Sequence, residues 1–440
     1  MPEADRLRFV HLSDIHFSNK VSTVGFDPDQ ILRECVVADI KKLRAELGDM
    51  TAILVSGDIA YAGKKDEYDD AAIWLDAITA AAGCDVTAVW MCPGNHDVDQ
   101  DVIRADSIIT DAHNAVRSND LFYDKDSALT KRLSEPSAGK LLYSPMKQYN
   151  EFAARYESAF SATKKDYAWE RDFRLNDGTI LRLRALNTAL LSDLADNEGT
   201  LFLGSRACSF PKRDGVEYMT IAHHPPSWLA DKKEAERQFD DNVRVQMFGH
   251  EHDQRVLEGK AFTKLFAGSI NPHRAEPNWR PGYNIIEISV DSSEGRKLVI
   301  DVHAREWQQS PPQFRDVLDR MQNSVHSNRI ELETLPADYV PLEITDETAI
   351  DHASDAPSVT QNGQSLSGAG AKVDFRQIVF RFFRLSISKK NEIVGHLRLV
   401  EDDDTSLADV EKFRLALARA KERGKLDELM ALIEKLEGLQ

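Results

Sequence analysis

Five short polar motifs in this sequence carry side chains that can bind metal ions. They are Asp14-Ile15-His16, Gly57-Asp58, Gly94-Asn95-His96-Asp97, His223-His224-Pro225-Pro226 and Gly249-His250-Glu251-His252. Their carboxylates, imidazoles and amide oxygen suit borderline divalent ions such as Mn²⁺, Fe²⁺ and Zn²⁺, and the lack of thiolates argues against a structural zinc site. Two ions about 3.5–4 Å apart can share a bridging carboxylate and a bridging hydroxide, which attacks the phosphorus of a phosphate ester.

Each motif directly follows a short apolar run of the kind that forms a buried β-strand. The runs are Leu7 to Leu12, Ala52 to Val55, Val86 to Met91, Tyr218 to Ala222 and Val243 to Phe248. Ligands of open α/β sheets collect beyond the carboxyl ends of the strands, so we expect the five motifs to converge on one crevice. Glycines stand where the chain must turn off a strand and pass close to the ions or the phosphate, at Gly57, Gly94 and Gly249.

The rest of the first three hundred residues alternates strand and helix patterns, which predicts an α/β domain. Further apolar runs predict strands at Phe262 to Phe266, Tyr283 to Val290 and Lys297 to His303. Apolar residues at helical spacing predict helices over Gln30 to Leu47 and Glu67 to Ala82.

Composition divides the 440 residues into three parts. Residues 1–310 hold the five motifs, and their polar stretch 98–170 is an insertion that we expect to cover one edge of the site. Residues 311–373 are predicted to form a linker, because residues 331–370 contain eight Asp and Glu, no Lys or Arg, and a Gly- and Ser-rich end. Residues 374–440 carry apolar positions at helical spacing, which predicts a small all-α bundle.

Overall composition excludes several classes of protein. Hydrophobic residues make up 42% and charged residues 29%, as in soluble globular proteins. No apolar run reaches the roughly 18 residues of a membrane span, and the four cysteines lack the C-x-x-C spacing of a zinc cluster. The net charge of −18 disfavours a protein that clamps duplex DNA. We therefore expect a cytoplasmic protein without membrane association.

The five motifs in this order resemble the calcineurin-like metallophosphoesterase superfamily, whose pattern is D-x-H, G-D, G-N-H-D/E, H and G-H-x-H. The resemblance covers residues 5–305 and implies an α/β fold, a layered αββα sandwich of two mixed sheets. It also implies two divalent metal ions, with Mn²⁺ preferred over Fe or Zn. Carried over to this sequence, it implies a first ion on Asp14, His16 and His252, a bridging Asp58, and a second ion on Asn95, His223 and His250.

The same resemblance implies a catalytic role for one histidine, and the sequence offers candidates for substrate binding. His96 matches the histidine that donates a proton to the leaving oxygen or stabilises the transition state. Many relatives carry an acidic residue where this chain has Tyr61, so the group that orients His96 stays open, with Asp97 as the nearest candidate. The H-x-P pattern favours His223 over His224 as the metal ligand. The candidates for substrate binding are His224, His273 and Arg274.

The C-terminal residues 374–438 are similar to the effector-associated and GTPase-associated adaptor domains of bacterial conflict systems. The similar segments include Lys389-Lys390-Asn391-Glu392-Ile393-Val394 and Leu426-Asp427-Glu428-Leu429. Those domains are helical adaptors that pair with matching copies on other proteins, which implies a protein partner for residues 374–438. A generic helical module that serves oligomerisation or stabilises the fold is the alternative.

These features lead to one main functional hypothesis and two alternatives. The main hypothesis is a binuclear-metal phosphoesterase that hydrolyses a phosphodiester or nucleotide and is recruited to partners by its C-terminal adaptor domain. The first alternative is a metal-dependent nuclease effector of a bacterial defence system, with nucleic acid as its substrate. The second is a non-enzymatic scaffold that acts through the C-terminal bundle.

Overall fold

The computed structural model describes residues 6–18, 29–161, 168–271, 280–344 and 374–438. The chain divides into two compact units. The sheet unit comprises residues 1–150 and 158–344, and the helical unit comprises residues 151–157 and 345–440. None of the helices in the described part of the chain combines the length and the apolar character that a membrane span requires.

The described residues before position 345 contain both strands and helices. The strands are β1 (Leu7–Leu12), β2 (Ala52–Val55), β3 (Val89–Met91), β4 (Ala168–Arg174), β5 (Ile180–Leu186), β6 (Val216–Ala222), β7 (Val243–Phe248), β8 (Arg255–Glu258), β9 (Thr263–Phe266), β10 (Gly282–Asp291), β11 (Lys297–Gln308), β12 (Gln313–Asp316) and β13 (His326–Glu331). The helices are α1 (Gln30–Leu47), α2 (Lys65–Ala82), α3 (Gln100–Ala105), α4 (Ser107–Arg117), α5 (Phe122–Ser134), α6 (Pro136–Tyr143), α7 (Lys147–Ala153) and α8 (Lys232–Asn242).

The strands form two mixed sheets. The order in the first sheet is β12-β11-β10-β1-β2-β3, and β13 also pairs with β11. The order in the second sheet is β4-β5-β6-β7-β9-β8. Strands β1, β2 and β3 are parallel to one another, as are β5, β6, β7 and β9, so the carboxyl ends of each set lie at one edge of its sheet. The predicted sandwich of two mixed sheets with flanking helices is confirmed.

Large apolar side chains pack the two sheets against each other. Phe173 of β4 lies edge-on to Phe9 of β1, with ring centroids 5.0 Å apart, and to Trp90 of β3 at 5.3 Å. All four residues of β2 are buried, as expected for a parallel strand covered on both faces. This packing fixes the strands whose ends carry the first three motifs.

Strands β4 and β5 are not predicted from the sequence, because charged side chains interrupt their apolar residues. Nε of Arg182 on β5 donates a hydrogen bond to Asp172 on β4 at 2.7 Å. Nη1 of Arg184 donates to Glu170 at 2.7 Å, also across the two strands. These cross-strand pairs satisfy the charges, so a segment with a weak apolar pattern still forms a strand.

The first sheet extends past the predicted domain boundary at residue 310. Strand β12 pairs with the end of β11, and β13 pairs with its beginning. Residues 313–331 therefore contribute strands to the sheet, although the predicted linker starts at residue 311. The remainder of the predicted linker includes residues 345–373, which lie outside the described residues.

The described part of the predicted insertion 98–170 is mostly helical, and its helix α4 is tied to the loop after β5. Arg117 at the end of α4 donates hydrogen bonds to Asp193 at 2.6 Å and to Asp196 at 2.8 Å. Both carboxylates are mostly shielded from solvent, so these ion pairs are stronger than exposed ones. The insertion therefore holds the loop that leads out of the carboxyl end of β5.

The helical unit contains four α-helices within residues 374–438. They are α9 (Phe375–Arg384), α10 (Ile387–His396), α11 (Asp409–Glu422) and α12 (Leu426–Glu437). Phe382 is fully buried and lies edge-on to Phe383 at 5.6 Å and to Phe413 at 5.7 Å. Residues 151–157 belong to the same unit, and the ring of Tyr156 lies 5.6 Å from that of Phe380. The predicted helical bundle is confirmed, with a segment from the middle of the chain added to it.

A buried charge cluster links α1 to strands β10 and β11, and we expect it to stabilise the fold. Asp39 accepts hydrogen bonds from Arg305 at 2.7 and 2.9 Å and from the Tyr283 hydroxyl at 2.6 Å. Asp39→Ala removes these acceptors from a buried guanidinium, so the free energy of unfolding should fall by about 3 kcal/mol. Urea denaturation followed by circular dichroism measures the loss.

The matched control is Glu234→Ala, which removes an exposed partner of Arg237 on α8. This substitution should leave the urea midpoint unchanged, because exposed ion pairs contribute little. Equal effects of the two substitutions would show that the buried cluster does not stabilise the fold.

Candidate metal centre

Backbone hydrogen bonds tie together the loops that follow β1 and β2. The N–H of Asp14 donates to the carbonyl of Gly57 at 3.1 Å, and the N–H of His16 donates to the carbonyl of Asp58 at 3.0 Å. Position 57 requires glycine, because φ is +97° and a Cβ there would lie 2.6 Å from Nδ1 of His223. The first two motifs therefore lie side by side, with the fourth motif in close contact.

Five of the predicted metal ligands have a left-handed backbone. Their φ angles are 51° at Asp14, 53° at His16, Asp58 and His252, and 69° at His250. Residues with a Cβ seldom adopt this conformation, and such strain concentrates at functional sites. The turns that it produces at the strand ends bring the side chains of neighbouring loops together.

The carboxylate of Asp58 lies at the centre of the site and is almost fully buried. Its Oδ2 is 3.3 Å from Nε2 of His16 and 3.2 Å from Nε2 of His223. Its Oδ1 accepts a hydrogen bond from the N–H of His96 at 2.8 Å. One carboxylate thus contacts residues predicted for both ions, as a bridging ligand must.

Three residues are predicted to bind the first ion and not the second, and they lie together. The ligand atoms of Asp14, His16 and His252 are all within 4.8 Å of one another. Oδ1 of Asp14 is 3.1 Å from Nε2 of His252, and Oδ2 accepts a hydrogen bond from the N–H of His250 at 3.2 Å. A carboxylate oxygen and two imidazole nitrogens at this spacing can coordinate one divalent ion.

The residues predicted for the second ion also lie together, and His224 joins them. Oδ1 of Asn95 is 3.1 Å from Nε2 of His223 and 3.1 Å from Nε2 of His224. The ligand atoms of His223, His224 and His250 are all within 4.8 Å of one another. The sequence pattern favours His223 as the ligand, whereas the geometry brings both histidines to the same place.

Hydrogen bonds at Nδ1 set the tautomers of three histidines in the site. Nδ1 of His16 lies 3.3 Å from the carbonyl oxygen of Asn271. Nδ1 of His96 lies 2.7 Å from the carbonyl oxygen of Tyr61, and Nδ1 of His223 lies 2.8 Å from that of Ser56. A carbonyl oxygen can only accept, so each Nδ1 carries a proton. In the neutral rings, Nε2 therefore presents its lone pair to a metal ion or a proton.

The charges of the site favour the binding of a metal ion with release of protons. Burial would raise the pKa of Asp58, but His223 and His16 lower it well below its usual value. Burial lowers the pKa of His223, yet Asp58 outweighs burial and raises that pKa to about 9. The pKa of His250 falls to about 4 through burial and the nearby His223. A metal ion that replaces the proton on His223 would offset the same carboxylate charge.

Asp97, the nearest candidate for orienting His96, instead holds two loops together. Its carboxylate accepts four hydrogen bonds, from the N–H groups of Ile59, Ala60 and Gly94 and from the hydroxyl of Tyr68. The group that orients His96 is the carbonyl of Tyr61. This geometry supports a positioning role for Asp97, because the loops that it joins carry Asp58 and Asn95.

Several contacts of these ligands have no signal in the sequence. Oγ1 of Thr188 lies 2.9 Å from Nδ1 of His224 and accepts a hydrogen bond from the His224 N–H at 3.1 Å. The ring of Trp228 lies 4.1 Å from that of His250. Trp228 follows the fourth motif by two residues, but Thr188 comes from a different strand end and only the fold places it there. Two predicted substrate-binding residues lie outside the described residues: His273 and Arg274.

A sandwich of two mixed sheets with clustered Asp, Asn and His side chains beyond its strand ends defines the metallophosphoesterase class. The family model for calcineurin-like phosphoesterases matches residues 7–254, more than half of the chain. This chain therefore belongs to the calcineurin-like phosphoesterase family, whose members use divalent metal ions. A second family model, for the GTPase-associated adaptor domain, matches residues 374–435 and confirms the predicted C-terminal adaptor domain.

Comparison with curated proteins finds a relative of this chain. The chain is 26% identical over 310 residues to the uncharacterized metallophosphoesterase-like protein YydB of Bacillus subtilis strain 168, a match that covers 66% of this chain and 58% of that protein. The chain thus spans somewhat more than half the length of this curated relative.

Solved structures also match. GAP50, described as the anchor in the inner membrane complex of Plasmodium, matches with a TM-score of 0.38 and 11% identity over 75% of this chain and 90% of that chain. A putative 5′-nucleotidase from Staphylococcus aureus matches with a TM-score of 0.35 and 12% identity over 76% of this chain and 56% of that chain.

The contact between Thr188 and His224 tests whether His224 belongs to the second donor set, the side chains expected to bind the second ion. When Nε2 of His224 binds an ion, Nδ1 must carry the proton and donate it to Oγ1 of Thr188. Thr188→Val removes that acceptor at nearly constant shape, so Mn²⁺ affinity measured by calorimetry should fall about tenfold. Thr188→Ser retains the hydroxyl and should retain the affinity. Equal Mn²⁺ affinity in the Val variant would remove His224 from the donor set.

Proposed function

We propose that this chain is a phosphoesterase that uses two divalent metal ions to hydrolyse a phosphodiester. The position of Asp58 carries this proposal, because its Oδ2 lies 3.3 Å from Nε2 of His16 and 3.2 Å from Nε2 of His223. One oxygen between two donor sets suits a carboxylate that bridges two ions. Membership of the calcineurin-like phosphoesterase family supports the class of reaction.

The side chains of the site fit a pair of ions in number and type. Oxygen and nitrogen ligands without thiolates suit Mn²⁺, with Fe or Zn as alternatives. Asp14, His16 and His252 would hold the first ion, Asn95, His223 and His250 the second, and Asp58 both. Bound ions would neutralise the phosphate oxygens and supply an activated water. His224 joins the second set through the contact of its Nε2 with Oδ1 of Asn95 at 3.1 Å.

In the proposed reaction, His96 transfers the proton that the leaving group needs. Its Nδ1–H donates to the Tyr61 carbonyl at 2.7 Å, which fixes the orientation of the ring and leaves Nε2 free to carry the transferred proton. A ring nitrogen of His96 lies within 4.8 Å of the ligand atoms of His16 and Asp58. Protonated His96 would thus give its Nε2 proton to the departing alkoxide beside the Asp58 carboxylate.

Hydrolysis of bis-p-nitrophenyl phosphate tests this function. With Mn²⁺ present, the full chain should release p-nitrophenolate, and a chelator should stop the reaction. Asp58→Asn weakens a ligand of both donor sets, so kcat/KM should fall by more than about a hundredfold.

The control is Asp253→Asn, the same change one residue after His252 at an exposed side chain that pairs with Arg255. This control should keep the activity of the unaltered chain. Absence of metal-dependent turnover on any phosphoester, or equal activity of the Asp58 variant, would refute the proposal.

We further propose that the helical domain brings the phosphoesterase to a protein partner. The match of residues 374–435 to a GTPase-associated adaptor domain supports this role. Ile387 of α10 and Leu415 of α11 expose 52% and 39% of their surface, although both lie on helices that bury other apolar residues. A partner that carries a matching adaptor domain would cover such side chains.

A chain that ends at Ile344 should separate hydrolysis from recruitment. It should keep the turnover of the full chain on bis-p-nitrophenyl phosphate, and it should no longer co-purify from the native host with a protein that carries a matching adaptor domain. Its melting temperature should fall, because Tyr156 loses its ring contact with Phe380.

Phe382→Ala in the full chain disturbs only the bundle core and serves as a second test. It should give the same loss of partner with turnover retained. Loss of turnover in both variants would mean that the helical unit supports the fold of the sheet unit, and continued co-purification would exclude recruitment through residues 374–438.

A further inference from the structure

Two aromatic side chains lie against the candidate metal centre, one beside each donor set. The ring of Tyr61 lies 6.2 Å from that of His16 and 5.2 Å from that of His96. The ring of Trp228 lies 4.1 Å from that of His250. His16 belongs to the first donor set and His250 to the second, so a phosphate held between the sets would have an aromatic ring near each of its two ester groups.

The Tyr61 side chain is 43% exposed although it borders buried metal ligands. Its backbone is fixed, because its N–H donates to the Phe17 carbonyl at 2.8 Å and its carbonyl accepts the Nδ1–H of His96 at 2.7 Å. The ring is tilted by 33° from that of His96. A large part of an aromatic surface is therefore held open to solvent next to the histidine that would serve the leaving group.

Trp228 is held in place by the loop after β5. Its carbonyl accepts hydrogen bonds from the N–H groups of Gly199 and Leu201 at 3.1 and 3.2 Å. The same loop is anchored to α4 by the ion pair of Arg117 with Asp196 at 2.8 Å. The indole is half-buried and lies nearly perpendicular to the ring of His250, at 83°, so part of the indole remains accessible beside the site.

We propose that Tyr61 and Trp228 stack on the two bases that flank the scissile phosphate, so that the substrate is an internucleotide phosphodiester with an unpaired base on each side. This proposal rests on the function proposed above. Every nucleobase has a π-face, so stacking on aromatic rings binds single strands with little sequence preference. A cyclic mononucleotide has one base and could use one ring only, and a phosphoprotein has no base to stack.

His96 gives the proposed binding site a direction. The histidine that protonates the leaving oxygen lies beside Tyr61, so the base of the departing nucleoside should stack on Tyr61. Trp228 lies beside the second donor set, so it should stack on the base of the nucleoside that keeps the phosphate. The two rings thus serve different bases, which makes their contributions separable.

Three substrates test the proposal with the full chain and Mn²⁺. They are thymidylyl-(3′→5′)-thymidine and two analogues that each lack one of its thymines. In the unaltered chain, each thymine should raise kcat/KM about tenfold, chiefly through KM. Tyr61→Leu should abolish the effect of the thymine on the departing nucleoside, and Trp228→Leu should abolish the effect of the other thymine.

Conservative and remote variants serve as controls. Tyr61→Phe and Trp228→Phe keep an aromatic ring and should keep most of the thymine effect at their own side. Tyr123→Leu removes a tyrosine of α5 that is 76% exposed, and it should behave like the unaltered chain. Cleavage of a single-stranded oligothymidylate together with the dinucleotide would identify single strands as the substrate, and cleavage of the dinucleotide alone would identify dinucleotides.

Calorimetric binding of the dinucleotide to the metal-free chain provides a readout that needs no turnover. Affinity should fall about tenfold in each Leu variant and stay constant in Tyr123→Leu. If the metal-free chain binds in this pattern but the chain supplied with Mn²⁺ hydrolyses neither the dinucleotide nor bis-p-nitrophenyl phosphate, the proposed function fails and the stacking site stands. If loss of a thymine changes neither kcat/KM nor affinity, or if both Leu variants affect the same thymine, the stacking proposal is overturned while hydrolysis of bis-p-nitrophenyl phosphate still supports the function.

Discussion

The buried carboxylate of Asp58 joins four of the loops that form the site. Its two oxygens contact His16, His96 and His223, and its backbone carbonyl accepts the N–H of His16. Strands from both sheets deliver these residues, so the relative position of the sheets determines whether both donor sets can form. Buried carboxylates and imidazoles are costly unless they are paired, and ions or protons must therefore occupy the space between them.

Most of the candidate ligands lie in a strained backbone that the surrounding fold maintains. Left-handed conformations at residues with a Cβ cost about 1–3 kcal/mol each, and five predicted ligands share them. The packed sheets, the hydrogen bonds between the loops and the close approach at Gly57 and Gly94 maintain these turns. Such a site is preorganised, so metal binding and catalysis need little rearrangement of the chain.

Sequence reasoning identified the candidate ligands because metal coordination requires particular side chains and an α/β sheet collects them after its strands. It placed Asp14, Asp58 and His252 at strand ends that the structure brings together. It could not identify the hydrogen-bond partner of His96, because that partner is a backbone carbonyl and every residue has one. The contact of Thr188 with His224 could not be predicted either, because it depends on which strand end lies next to the fourth motif. Strand β5 was not predicted because arginines interrupt its apolar pattern, and their acidic partners lie on the adjacent strand.

Metal content measures the central proposal directly. Purified full chain, supplied with Mn²⁺ and then dialysed, should contain about two ions per chain by elemental analysis, and Asp58→Asn should hold clearly fewer. Two ions that depend on Asp58 would establish the shared carboxylate as the basis of the site. Far less than one ion per chain after Mn²⁺ is supplied would contradict the binuclear centre and favour a scaffold that acts through its helical domain.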